Sequence, residues 1–193
     1  MTTIFKKFAT GTAALALMTT VFATGVLADE VQTTITGDDM TISAVTASSF
    51  ATAIVLDGTT QTATDAAIST FEVIDPRGTG AGWNVAVKAT QFLHNSNGKS
   101  LSAGSLTLAA PTVTKIDPNS SEATTVTPAG GTIDSNVEGY SVKILSAAAN
   151  AEVGAGMGGY TISPMAMELE LKPKEVYAGT YTSTVTVALT TGP

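Results

Sequence analysis

From Tyr181 to Leu189 the chain alternates without a break. Tyr181, Ser183, Val185, Val187 and Leu189 share one side, and Thr180, Thr182, Thr184, Thr186 and Ala188 share the other. A period of two is the repeat of an extended strand, which buries one face and wets the other. The pattern recurs in Trp83–Phe92, where Trp83, Val85 and Val87 oppose Asn84, Ala86 and Lys88. It recurs again where Met165, Met167, Leu169 and Leu171 oppose Glu168 and Glu170. Val31–Thr36, Met40–Val45 and Ala67–Ile74 read as further strands, and clusters of Gly, Asn, Asp and Pro separate the segments. No long stretch keeps a 3.6-residue period; the run Ala147-Ala148-Ala149-Asn150-Ala151 is expected to make one helical turn before the glycines that follow. Asp117–Gly131 reads as a long, exposed polar connection. One-sided strands must cover their apolar faces, so the expected fold is all-β: an antiparallel β-sandwich, Ig-like in architecture.

The N-terminus reads as an export signal over residues 1–28. Lys6 and Lys7 precede an apolar stretch, and Val26-Leu27-Ala28 supplies a cleavage site before Asp29-Glu30. Residues 29–50 are then a lead-in that adds an edge strand or stays mobile, and residues 51–193 form the sandwich domain. No second apolar run is long enough to span a membrane, and no cysteine is present to carry a lipid. The exported chain is therefore expected to be released, or held outside the cell by non-covalent contacts.

Composition narrows the chemistry. With no cysteine, disulfides, thiol nucleophiles, zinc–thiolate sites and iron–sulfur clusters are excluded. A formal charge of −7, with only 9 Lys and Arg, argues against nucleic acid and anionic membranes as partners. His94 is the sole histidine, in the turn-like His94-Asn95-Ser96-Asn97-Gly98, and is expected to be a solvated loop residue. No Gly-x-Ser-x-Gly elbow accompanies it, and the carboxylates are scattered, so neither catalysis, nor a metal, nor a cofactor is expected. Gly78-Thr79-Gly80-Ala81-Gly82 lies between two strands rather than before a helix, so it reads as a hairpin connection and not a phosphate loop. An exposed Trp83 would stack on a sugar ring; its alternation with Val85 and Val87 favours burial between sheets.

Two patches carry a resemblance. Asp75-Pro76-Arg77-Gly78-Thr79-Gly80-Ala81-Gly82-Trp83-Asn84-Val85 resembles the first motif of the WxL domain, a family of low-GC Gram-positive cell surfaces. Tyr177-Ala178-Gly179-Thr180-Tyr181-Thr182-Ser183-Thr184-Val185-Thr186-Val187-Ala188-Leu189 resembles its second. Valine replaces leucine at Val85, and Val187 stands where the second tryptophan would be. The resemblance implies a secreted, wall-associated module that binds peptidoglycan without a covalent link, together with other surface proteins that recognise WxL domains. It implies contact residues at Trp83, Asn84, Val85, Val187, Ala188 and Leu189, and a motif loop built on Asp75, Arg77, Gly78, Gly80 and Gly82. Arg77 and Lys88 would meet anionic groups of the wall. The alternative is an assembly subunit that adds a strand to a partner or to itself.

Overall fold

The computed structural model describes residues 32–135, 140–150 and 154–192. The expected export signal lies outside them, as does Val31. The compact unit runs from Ile35 to Pro193. Its strands are β1 (Thr41–Ile42), β2 (Gln61–Ile68), β3 (Phe71–Asp75), β4 (Trp83–Ala89), β5 (Leu93–His94), β6 (Leu106–Leu108), β7 (Val113–Lys115), β8 (Val126–Pro128), β9 (Gly131–Ile133), β10 (Val142–Ala147), β11 (Gly158–Ile162), β12 (Met165–Leu171), β13 (Tyr181–Thr182) and β14 (Val185–Thr191). A single 3-10 turn, Ala123–Thr125, precedes β8.

All pairings are antiparallel. One layer consists of two sheets, β1-β3-β11-β7 and β2-β12-β6-β9, which share three runs of chain. The runs break in step at Ser69–Thr70, Ser163–Pro164 and residues 109–112. Serine hydroxyls replace ladder bonds there: Thr46 N–H donates to Ser69 Oγ at 3.0 Å and Thr112 N–H to Ser163 Oγ at 2.9 Å. The facing layer is β14-β4-β10-β8. The chain sews the layers together between β8, which pairs with β10, and β9, which pairs with β6. At that crossing a side chain on Gly130 would strike the Leu108 carbonyl, so only glycine fits.

The sandwich expected from the alternation is present. Phe71, Val73, Tyr160, Ile162 and Met165 from one layer meet Trp83, Val85, Val87 and Leu145 from the other, all buried in one core. Burying each such side chain contributes roughly 1.5–3 kcal/mol, which is why the periodic faces dominate the fold. A satellite cluster, Ala63, Leu101 and Leu169 with Phe50, Phe92 and Tyr181 around it, lies under the two-stranded sheet β13-β5.

Several local expectations fail. Residues 32–40 form no strand, since the alternation there offers Ile35 as its aliphatic side chain and nothing covers it: it is 87% exposed. Met40–Val45 shrinks to the two residues of β1. Ala67–Ile74 is not one strand but the end of β2 and most of β3, parted by the break at Ser69–Thr70. Ala147 ends β10 opposite Trp83, and Ala148–Asn150 are not helical, while Ala151 lies outside the described residues; pairing overrides alanine's helix preference at Ala147. Residues 78–82 do not close a hairpin, because β3 and β4 belong to opposite layers and the loop crosses between them. The stretch 117–131 is not wholly exposed: Val126 of β8 is buried in the core.

Candidate functional site

The two sequence patches meet in one ladder. β14 runs antiparallel to β4, with Leu189 opposite Val85, Val187 opposite Val87, Ala188 opposite Ala86 and Thr190 opposite Asn84. Asn84 and Thr190, 106 residues apart, bond through their side chains at 2.9 Å. Asn84 Nδ2 donates to the Gly192 carbonyl at 3.0 Å, and Gly192 N–H donates to the Gly82 carbonyl at 3.1 Å. The end of the chain is thereby tied to the glycine loop.

The loop has its own clip. Arg77 Nε and Nη2 donate to the two carboxylate oxygens of Asp75 at 2.8 and 2.9 Å, and Nη2 also donates to the Gly82 carbonyl at 2.9 Å. The Asp75 side chain is 1% exposed and that of Arg77 15%. The carboxylate bond holds the guanidinium above its ordinary range. Arg77 is thus committed within its own loop rather than turned outward to an anion. Gly78, Gly80 and Gly82 all have positive φ, and at Gly82 a side chain would strike the backbone at Ala147–Ala149.

Trp83 is fully buried. Its indole N–H donates to the Gly156 carbonyl at 2.8 Å and its ring tilts against Tyr160 at 6.1 Å. Val85 is also fully buried, while Val187 and Leu189 are half-buried on the same inner face. Of the six residues first named for contact, Asn84 and Ala188 lie on the outer face of the ladder, beside Ala86, Thr186 and Thr190. Lys88 and Lys143 share that face, and among the described residues neither forms an ion pair. The remaining residues build the core beneath it.

The second patch also contributes to a cleft of about 1080 Å3, between residues 47–56 on one side and 176–185 on the other. Its floor includes Ala63, Met167 and Leu169. His94 positions one wall. It is 6% exposed rather than solvated, because β5 pairs it with Tyr181. Its Nδ1 accepts from the Ser96 and Asn97 amides, which leaves Nε2 to donate to the Ala178 carbonyl at 3.1 Å. The imidazole stands edge-on to the Tyr181 ring at 5.0 Å, and a side chain on Gly179 would strike it. Asp65 positions the other wall. A bulge sets Thr64 and Asp65 opposite Glu168, and this turns the carboxylate to accept from the Ala51 and Thr52 amides at 3.0 and 2.6 Å. A hydrogen bond from the Thr52 side chain first, then those amide bonds, hold the Asp65 carboxyl below its ordinary range.

The family model described as WxL domain, surface cell wall-binding, matches residues 29–193. The chain belongs to the WxL domain family. This WxL domain is accordingly a secreted, cell-surface module of the wall-binding class. No curated protein and no solved structure matches it. Among its described residues no helix is long and apolar enough to cross a membrane, and no group of three or more His, Asp or Glu is gathered to hold a metal. Sequence reasoning missed His94 and Asp65 as wall-positioning residues. The Tyr177–Thr182 stretch was the signal within reach for the cleft, since an exposed tyrosine next to a strand has no core to serve.

Proposed function

We propose that this WxL domain is a non-catalytic module that attaches to the wall by binding peptidoglycan without a covalent link. The carrying observation is the match over residues 29–193, joined to a fold in which both motif patches lie in one ladder. On this reading residues 1–28 are the export signal, 29–50 the lead-in and 51–193 the wall-binding sandwich. Trp83, Val85, Val187 and Leu189 serve by holding β4 and β14 in place, while Asn84 and Ala188 share the outward face. Lys88 and Lys143 give an acidic chain two positive points for anionic wall groups. The test is co-sedimentation of the chain from Asp29 onward with purified Gram-positive walls, intact and stripped of teichoic acid. Binding to stripped walls supports peptidoglycan as the ligand; binding to intact walls alone transfers the role to teichoic acid.

A second reading has its own observation. β14 ends its sheet, with no partner on its far side among the described strands, and a gap of about 290 Å3 lined by Ile42, Val45, Ile68, Val185 and Val187 runs beside it. A free edge beside an apolar groove is how sheets accept a strand from another chain. That chain would be a surface protein that recognises WxL domains, or a second copy. Monomeric sedimentation over a wide concentration range removes self-assembly from this reading.

A further inference from the structure

We infer that the cleft between residues 47–56 and 176–185 is the site where a neutral saccharide chain lies, which deepens and rests on the peptidoglycan reading above. The cleft, at about 1080 Å3, reaches the upper end of small-ligand sites, which span roughly 300–1,000 Å3. The residues lining it include no Asp, Glu, Lys, Arg or His. In a chain of formal charge −7 this is a selective feature: the site has no countercharge for a carboxylate, a phosphate or an ammonium group.

What lines the cleft matches the two faces of a sugar ring. Phe50, Phe92, Tyr177 and Tyr181 supply aromatic surface, with Phe50 and Phe92 tilted together at 6.3 Å. Tyr177 is 49% exposed, although a ring of that size is ordinarily covered. Aromatic faces take the C–H side of a pyranose, and hydroxyl groups take its rim. Thr180 and Thr184 line the walls with further hydroxyl side chains, while those of Thr182 and Ser183 are bonded to Asn95 and the Thr90 carbonyl.

The walls are also held before any ligand arrives. Tyr177 N–H donates to the Tyr181 hydroxyl at 2.9 Å, Asn95 N–H to the Thr180 carbonyl at 2.9 Å, and Thr182 Oγ1 to Asn95 Oδ1 at 3.0 Å. Across the cleft Asp65 fixes Ala51 and Thr52. Rigid walls reduce the ordering cost of binding a flexible, uncharged chain.

The test is NMR titration of the chain from Asp29 onward with chitotetraose, with cellotetraose and with an uncharged tetrapeptide. Saturable shifts confined to amides of 47–56 and 176–185 are expected with at least one saccharide. Preference for chitotetraose marks the acetamido glycan of peptidoglycan as the source, and equal binding or preference for cellotetraose marks another wall polysaccharide. Tyr177→Ala, at an exposed position, is expected to weaken binding about 5- to 10-fold, and Tyr177→Phe to retain it. Shifts with the tetrapeptide alone, shifts elsewhere, or none at millimolar saccharide overturn the inference. Wall co-sedimentation without saccharide shifts overturns the cleft and leaves the wall reading. Saccharide shifts without wall binding do the reverse.

Discussion

Val187 lies directly opposite Val87 in the β4–β14 ladder, and its half-buried side chain borders a gap of about 290 Å3. The gap is an open groove beside the edge strand, lined also by Ile42, Val45 and Ile68. By the resemblance of the second patch, Val187 stands where a tryptophan would be. Val187→Trp is therefore expected to fill part of the space and stabilise the fold by about 1 kcal/mol, a rise in Tm of roughly 2–4 °C. Thermal unfolding checks this. A lower Tm would mean that the space is too narrow for an indole.

Arg77 and Asp75 form a clip on which the glycine loop closes. Arg77→Ala strands a carboxylate whose side chain is 1% exposed and leaves it, among the described residues, the backbone amide of residue 77. A loss of about 3 kcal/mol or more is expected by chemical denaturation. Arg77→Lys restores little of it, because an ammonium cannot reach both carboxylate oxygens and the Gly82 carbonyl together. A loss under about 1 kcal/mol for the alanine variant would refute the clip.

Trp83 is the only tryptophan, so its fluorescence reports on one place. Full burial predicts blue-shifted emission with weak acrylamide quenching, unchanged when wall fragments are added. Trp83→Phe keeps an aromatic ring but leaves the buried Gly156 carbonyl without its donor, at a cost of about 1–3 kcal/mol. Quenching by added wall fragments would show that the ring reaches the ligand after all.

Asp65 gives the cleft an acid limit. Its carboxyl is held below the ordinary range by the Thr52 side chain first, then by the Thr52 and Ala51 amides. A lowered folded value means the contact is complete above the unfolded value and is lost as pH falls through the folded one. The wall at residues 51–52 should stay pinned at neutral pH and release only below about pH 4. The two amide resonances, followed through an acid titration, should move together with a midpoint under that of an unperturbed aspartate. A midpoint at or above it would detach Asp65 from this role.

Much of the architecture was legible in the chain alone. The alternation at Met165–Leu171 recurs as one strand, that at Trp83–Phe92 ends at Ala89, and that at Tyr181–Leu189 splits into β13 and β14; each turns its expected face inward, because burying an apolar face outweighs local preferences. Trp83 turned inward for the same reason. Alternation says which residues share a face; it does not say what lies opposite. The strand expected at 31–36 had nothing to cover it, and the break at Ser69–Thr70 depends on neighbouring breaks far away in sequence.

Local patterning in the chain carries the all-β sandwich, its inward faces and the two patches that resemble the family's motifs. Tertiary structure alone decided that those patches are neighbours, that Arg77 is spent on Asp75, and that His94 and Asp65 hold the walls of an uncharged cleft. The physical reason is that periodicity is local, whereas hydrogen-bond partners and cavity walls come from residues that only packing brings together. His94 has no signal in the five residues His94–Gly98; its burial was set by Tyr181 and Ala178, more than 80 residues along the chain.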